Sequence, residues 1–171
     1  MAVTISGSGP VTGLTTINSI TVPTSTFGKI LQVVSTSYST AATNATSTYA
    51  DTGLSLSITP SSATSKVFVV VSQMLATHRS NATSSAVTGG RILRGATAIF
   101  TNDYACLTRA GINSQGHVDL SVSVSLTCLD SPNTTSATTY KTQFAAMESG
   151  SDATAQLAGV PSVMTLMEVA A

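Results

Sequence analysis

A chain of 171 residues is long enough for one domain with a proper core and short for two. It holds 29 Thr and 26 Ser beside only seven basic and seven acidic residues, so hydroxyls rather than Lys and Glu supply the wet surface. Seven scattered basic residues leave no electrostatic footprint for nucleic acid, and no apolar run approaches the roughly 20 residues that span a bilayer. Neither nucleic acid nor membrane is expected as a partner, and no export signal is visible.

Residues 1–27 read as an N-terminal arm and 28–171 as the main domain. The arm has no charged side chain and carries short β-branched pieces such as Val3-Thr-Ile5 and Ile20-Thr-Val22. That is too little apolar surface for a core of its own, so the arm is expected to dock on its own domain or on a neighbouring subunit. The contact would run through Val3, Ile5, Val11, Leu14, Ile17, Ile20 and Val22.

From Lys29 the strand signals become regular. Lys29 to Ser35 is a mostly apolar strand, and Thr36 to Thr46 reads as a long loop or weak edge strand. Asp51-Thr-Gly53 is a turn signal ahead of the alternating strand Leu54 to Ile58, which Pro60 closes because it has no N–H to give to a ladder. Val67 to Val71 then runs apolar without interruption, the pattern of a strand covered on both faces. In a two-sheet sandwich that requires a cover outside the sheets, so Val67, Val69 and Val71 join the expected assembly contact.

Further on, Gly95-Ala96 suits a type II′ hairpin turn inside Arg91 to Phe100, and Thr101 to Gly116 reads as looser. His117 to Cys128 places Val118, Leu120, Val122, Val124, Leu126 and Cys128 on one face and small polar groups on the other. Thr138 to Met147 alternates again. A helical turn is expected near Ala153 to Leu157, and Val163 to Val169 closes the chain. Thr, Val and Ile favour strands. The expected fold is therefore all-β, an antiparallel β-sandwich of jelly-roll type with an extended N-terminal arm.

Catalytic patterns are missing. There is no Gly-x-Ser-x-Gly elbow, His-Glu-x-x-His helix, phosphate-binding glycine loop or adjacent carboxylate pair. His117 and Asp119 share a strand face, but that face continues as Ser121, Ser123 and Ser125, the solvated side. Cys106 and Cys128 read as small buried hydrophobes. Asn44, Asn81 and Asn133 begin Asn-x-Thr triplets of the kind that arise by accident in so Thr-rich a chain. No enzymatic activity, metal or cofactor is expected.

The block Gly28 to Ser35 followed by Thr48 to Gln73 resembles a module that recurs in structural proteins of tailed bacteriophages, cyanophages among them, and Ser162 to Val169 resembles the way those modules end. The resemblance is close over residues 28–75, loose in the middle and one of pattern in the last strand. It implies a virion component, in a group whose members are capsid decoration (cement) proteins or pieces of tail fibres, typically trimers. With no heptads and no repeats, the chain suits a decoration protein better than a fibre stem. The expected protein is a homotrimer seated on phage major capsid protein at the capsid exterior. The alternative is a tail-fibre or receptor-binding head attached to tail or baseplate proteins and recognising host surface glycan.

Overall fold

In a computed structural model of the chain, the described residues are 28–80, 85–109 and 117–171, together with the backbone of residues 16–17 and 20–21. Twelve strands are described: β1 Thr16–Ile17, β2 Ile20–Thr21, β3 Ile30–Tyr38, β4 Ala42–Asn44, β5 Ala50–Ile58, β6 Lys66–Arg79, β7 Ala86–Arg94, β8 Thr97–Thr108, β9 Val118–Asp130, β10 Thr138–Ala146, β11 Ser151–Ala155 and β12 Ser162–Val169. β1 and β2 pair antiparallel, Thr16 with Thr21 and Ile17 with Ile20.

Eight long strands build two antiparallel sheets, β3-β12-β6-β9 and β5-β10-β7-β8. Counted along the chain, the first, eighth, third and sixth long strands face the second, seventh, fourth and fifth, which is the order of a jelly roll. β6 is long enough to take β12 along its first half and β11, continued by β4, along its second, while β9 pairs with its other edge throughout. The all-β sandwich expected from the sequence is the fold observed.

The core lies between the sheets. Leu54, Ile58, Ile92 and Tyr140 from one sheet meet Val67, Val69, Val71, Leu126, Met164 and Leu166 from the other, and a second cluster gathers Leu75, Cys106, Phe144, Ala146, Ala153 and Ala155. A buried polar layer separates the two clusters. The Thr142 hydroxyl donates to Gln73 Oε1 at 2.8 Å, Gln73 Nε2 donates to Ser162 Oγ at 2.8 Å, and Thr52 Oγ1 lies 2.6 Å from Thr142 Oγ1. These groups come from both sheets, so their hydrogen bonds fix the register in which one sheet sits on the other.

Several local expectations shift. Gly53 is not a turn: it sits inside β5 at φ 90, where the β5–β10 register slips and the Tyr38 ring fills the space that a Cβ would need. That is a bulge, which only glycine accommodates here. β3 continues to Tyr38, β8 runs to Thr108 through part of the supposed loose region, and Ala153 belongs to a strand, with a short 3-10 turn at Leu157–Gly159. Gly95, at φ 57, opens the two-residue turn between β7 and β8 as expected. The cysteines are free, and burial raises both thiols to about 11, so they stay protonated and inert at neutral pH.

Candidate assembly surface

The outer faces of the two sheets differ in chemistry. On the β5-β10-β7-β8 sheet, Arg91 donates to Gln143 Oε1 through Nε at 2.8 Å, Gln143 Nε2 donates to Asp51 Oδ1 at 2.6 Å, and Lys141 Nζ reaches Asp51 Oδ2 at 2.9 Å. Burial works to raise the Asp51 carboxyl, but the bonds from Lys141 and Gln143 hold it below the usual carboxylate range. Tyr49 lies under the Arg91 guanidinium and donates to Asp103 at 2.8 Å; its phenol is pushed up, first by burial and then by the Asp103 bond. This is a face built for water.

The opposite sheet has a charge-poor outer face over its β3-β12-β6-β9 half, with exposed Lys66, beside Val169, at its rim. Register places Val33 beside Met167, Met167 beside Phe68, and Phe68 beside Leu129, one row across four strands. Val33 is 54%, Phe68 36% and Leu129 55% exposed, with Met167 half-buried between them. The next row is Ser35, Thr165, Val70 and Thr127, and the one after is Ser37, Val163, Ser72 and Ser125. With Ile30 and Leu31, both exposed at the start of β3, the apolar part offers on the order of 400 Å², as large as the largest patch on a typical monomer. The row is about 14 Å long, three strand spacings.

β3 and Gln32 also anchor this end. Glu168 on β12 points inward and is fully covered. Its Oε1 accepts from the Ser61 N–H and hydroxyl, both at 2.7 Å, and its Oε2 accepts from Gln32 Nε2 at 2.6 Å. Burial would raise this carboxyl, yet hydrogen bonds from Ser61, Gln32 and Ser65 bring it down to about 2. The carboxylate thereby ties β12 and β3 to the turn that feeds β6. At the far end of the same edge Arg94 donates to both Asp130 oxygens, at 2.8 and 2.9 Å, and Tyr140 donates to Asp130 at 2.7 Å.

The placement of the expected contact residues is therefore mixed. Val67, Val69 and Val71 are fully buried in the chain's own inter-sheet core. They alternate with Phe68 and Val70, so the apolar residues of this run that β6 turns outward are Phe68 and Val70, not the three valines. The apolar run has one face in the core and an outer face that no other described residue covers. Ile17 and Ile20 pair in the β1–β2 hairpin. Val3, Ile5, Val11, Leu14 and Val22 lie outside the described residues. Sequence reasoning passed over Val33, Met167, Phe68 and Leu129. The one local signal was Leu129, a large apolar residue on the polar parity of β9, after Asp119, Ser121, Ser123, Ser125 and Thr127.

The other constellations carry little chemistry. His78 lies opposite Asp119 and its Nδ1 hydrogen-bonds Asp119 Oδ1, while His117 Nε2 is 3.4 Å from Asp119 Oδ2. All three side chains are about half exposed. Among the described residues, no group of three or more His, Cys, Asp or Glu side chains is arranged to hold a metal ion. Asn44 is committed to structure: its Nδ2 donates to Thr48 O at 2.9 Å and Phe144 O at 3.0 Å. No helix among the described residues is long and apolar enough to cross a membrane.

No protein-family model matches the chain, and no curated protein matches it. Among solved structures, the chain is similar to the protein of T=1 particles derived from infectious bursal virus, at 13% identity and TM-score 0.35, over 82% of this chain and 36% of that one. It is similar also to the protein in the structure of infectious bursal disease virus Gt strain, at 15% identity and TM-score 0.32, over 84% of this chain and 38% of that one. The chain thus spans little more than a third of the length of these solved chains.

Proposed function

We propose that this chain is a non-enzymatic structural protein of a virion, a homotrimeric decoration protein that cements a phage head from the outside by binding its major capsid protein. The observation that carries the proposal is the contrast between the two outer faces. One sheet is finished with the Lys141–Asp51 ion pair and the polar groups around it, and the other presents, with Lys66 at its rim, a charge-poor face crossed by the Val33, Met167, Phe68 and Leu129 row. A domain built in this way is completed by another surface.

Cementing requires buried area rather than a reactive group. A stable contact needs on the order of 1,600 Å² in total, and a surface of Ser, Thr and aliphatic residues can be buried without stripping water from charges. The resemblance of residues 28–75 to phage structural modules supports the same role, and the jelly-roll order provides the rigid body. In this account the uncharged arm, through Val3, Ile5, Val11, Leu14, Ile17, Ile20 and Val22, adds contact area between subunits. Backbone hydrogen bonds to a sheet edge need no particular side chain.

The test is deletion of residues 1–22, followed by measurement of virion incorporation and of the temperature at which capsids release DNA. Loss of incorporation, or release at a lower temperature, is expected. Unchanged incorporation together with unchanged heat stability would refute the role of the arm in cementing. Soluble protein that blocks adsorption of the virus to its host would favour the receptor-binding alternative.

A further inference from the structure

We infer that the row formed by Val33, Met167, Phe68 and Leu129 is the seat of residues 1–27 of a neighbouring copy of the chain, an inference that rests on the assembly role proposed above. Three observations identify the arm as the occupant. First, position: the arm enters the sandwich at Gly28, whose φ of 74 turns the chain just before β3, and β3 supplies Ile30, Leu31 and Val33 to the apolar patch. Second, charge: the arm has no charged side chain, and the twelve outward positions of the three rows have none either, with Lys66 of the adjoining row at their rim. Neither surface must lose a charge's hydration to meet the other.

Third, length. Extended, residues 1–15 span at most about 50 Å and residues 22–27 at most about 20 Å. Four or five extended residues suffice to cross a row about 14 Å long. The apolar residues of the arm, from Val3 to Val22, are spread over far more chain than one row can engage, and the domain itself is only about 40 Å wide for its size. An arm with that reach and that distribution suits a partner's face better than its own. Arm-to-face contact is heterologous, so successive copies close into a ring when the rotation permits.

The test uses the full chain carrying Val33→Cys or Ile20→Cys, with unsubstituted protein as the control for Cys106 and Cys128. Under mild oxidation an equimolar mixture of the two single variants is expected to give a disulfide-linked dimer on a non-reducing gel, and the double variant a ladder of linked oligomers. A double variant that stays monomeric with an internal disulfide, while the mixture stays unlinked, places the arm on its own domain and overturns the inference. Linked dimer from Val33→Cys alone identifies face-to-face pairing of two sheets and overturns it equally, as does the absence of any arm-to-row link.

Leu129→Glu provides a second readout that does not depend on the arm cysteine. Leu129 is more than half exposed, so the variant folds, and its self-association in sedimentation is expected to weaken at least tenfold; unchanged association would contradict the inference. All of these measurements use purified protein. Linked copies that prove irrelevant to virions would leave the inference standing and reject the proposed function, and the converse result would do the opposite.

Discussion

Replacing Glu168 or titrating it tests how the end of the sandwich that carries the apolar row is held. The carboxylate is completely covered, accepts three hydrogen bonds from Ser61 and Gln32 at 2.6 to 2.7 Å, and titrates at about 2 rather than 4.5. A carboxyl whose folded value is depressed binds its proton more readily in the unfolded chain. Its stabilisation is therefore fully present above pH 4.5 and disappears as the pH falls through about 2. The size is about 3 kcal/mol. Glu168→Gln keeps the shape and an acceptor for Ser61, but turns an amide N–H₂ toward the Gln32 amide, two donors facing each other, at a cost of about 2 kcal/mol. Urea denaturation followed at steps between pH 6 and pH 2 would show the wild-type midpoint falling below pH 4.5, and the Glu168→Gln protein starting lower with a flatter profile. Two parallel profiles would refute the assignment of this acid dependence to Glu168.

Four further substitutions probe the sandwich. Val69→Ala, in the core, is expected to cost about 2 kcal/mol of folding stability, whereas Leu129→Ser on the exposed row should stay within about 0.5 kcal/mol; equal losses in chemical denaturation would mean that the row is not an outer surface of the folded chain. Gln73→Ala takes one buried partner from each of the Thr142 and Ser162 hydroxyls, which keep Thr52 and the Met74 and Gln156 donors respectively, and leaves a cavity, so a loss of about 2 kcal/mol is expected, and a neutral result would show that the polar layer does not hold the sheets in register. Gly53→Ala puts a Cβ into the Tyr38 ring at φ 90, and a fall in thermal midpoint is expected in the Gly53→Ala protein that Tyr38→Ala, made in addition, partly restores.

Much of the fold was legible because β-sandwich strands announce themselves by alternation. Leu54 to Ile58 and Val118 to Cys128 read as strands with one apolar face, and Leu54, Ile58, Leu126 and Cys128 pack on the core. The uninterrupted Val67 to Val71 reads as covered on both faces, and the pattern alone does not say by what. Periodicity reports whether a side chain is apolar, not whether anything covers it, so an uncovered apolar face looks the same as a buried one. Gly53 misled similarly, since the glycine needed for a bulge and the glycine needed for a turn are the same residue. The candidate surface was not legible at all as a unit. Its four residues, at positions 33, 68, 129 and 167, come together only through three cross-strand registers. The arm was visible as a change of composition, because the missing charges need no folding to be seen.

The central claim is that the chain belongs to a virion as a repeated surface component, and the most direct measurement of it is the number of copies per particle in purified virions, from quantified gels or mass spectrometry against the major capsid protein. A decoration protein predicts hundreds of copies, comparable with the capsid protein itself. A few to tens of copies would place the chain in a fibre or tail and contradict the cementing role, and its absence from purified virions would contradict the virion assignment altogether.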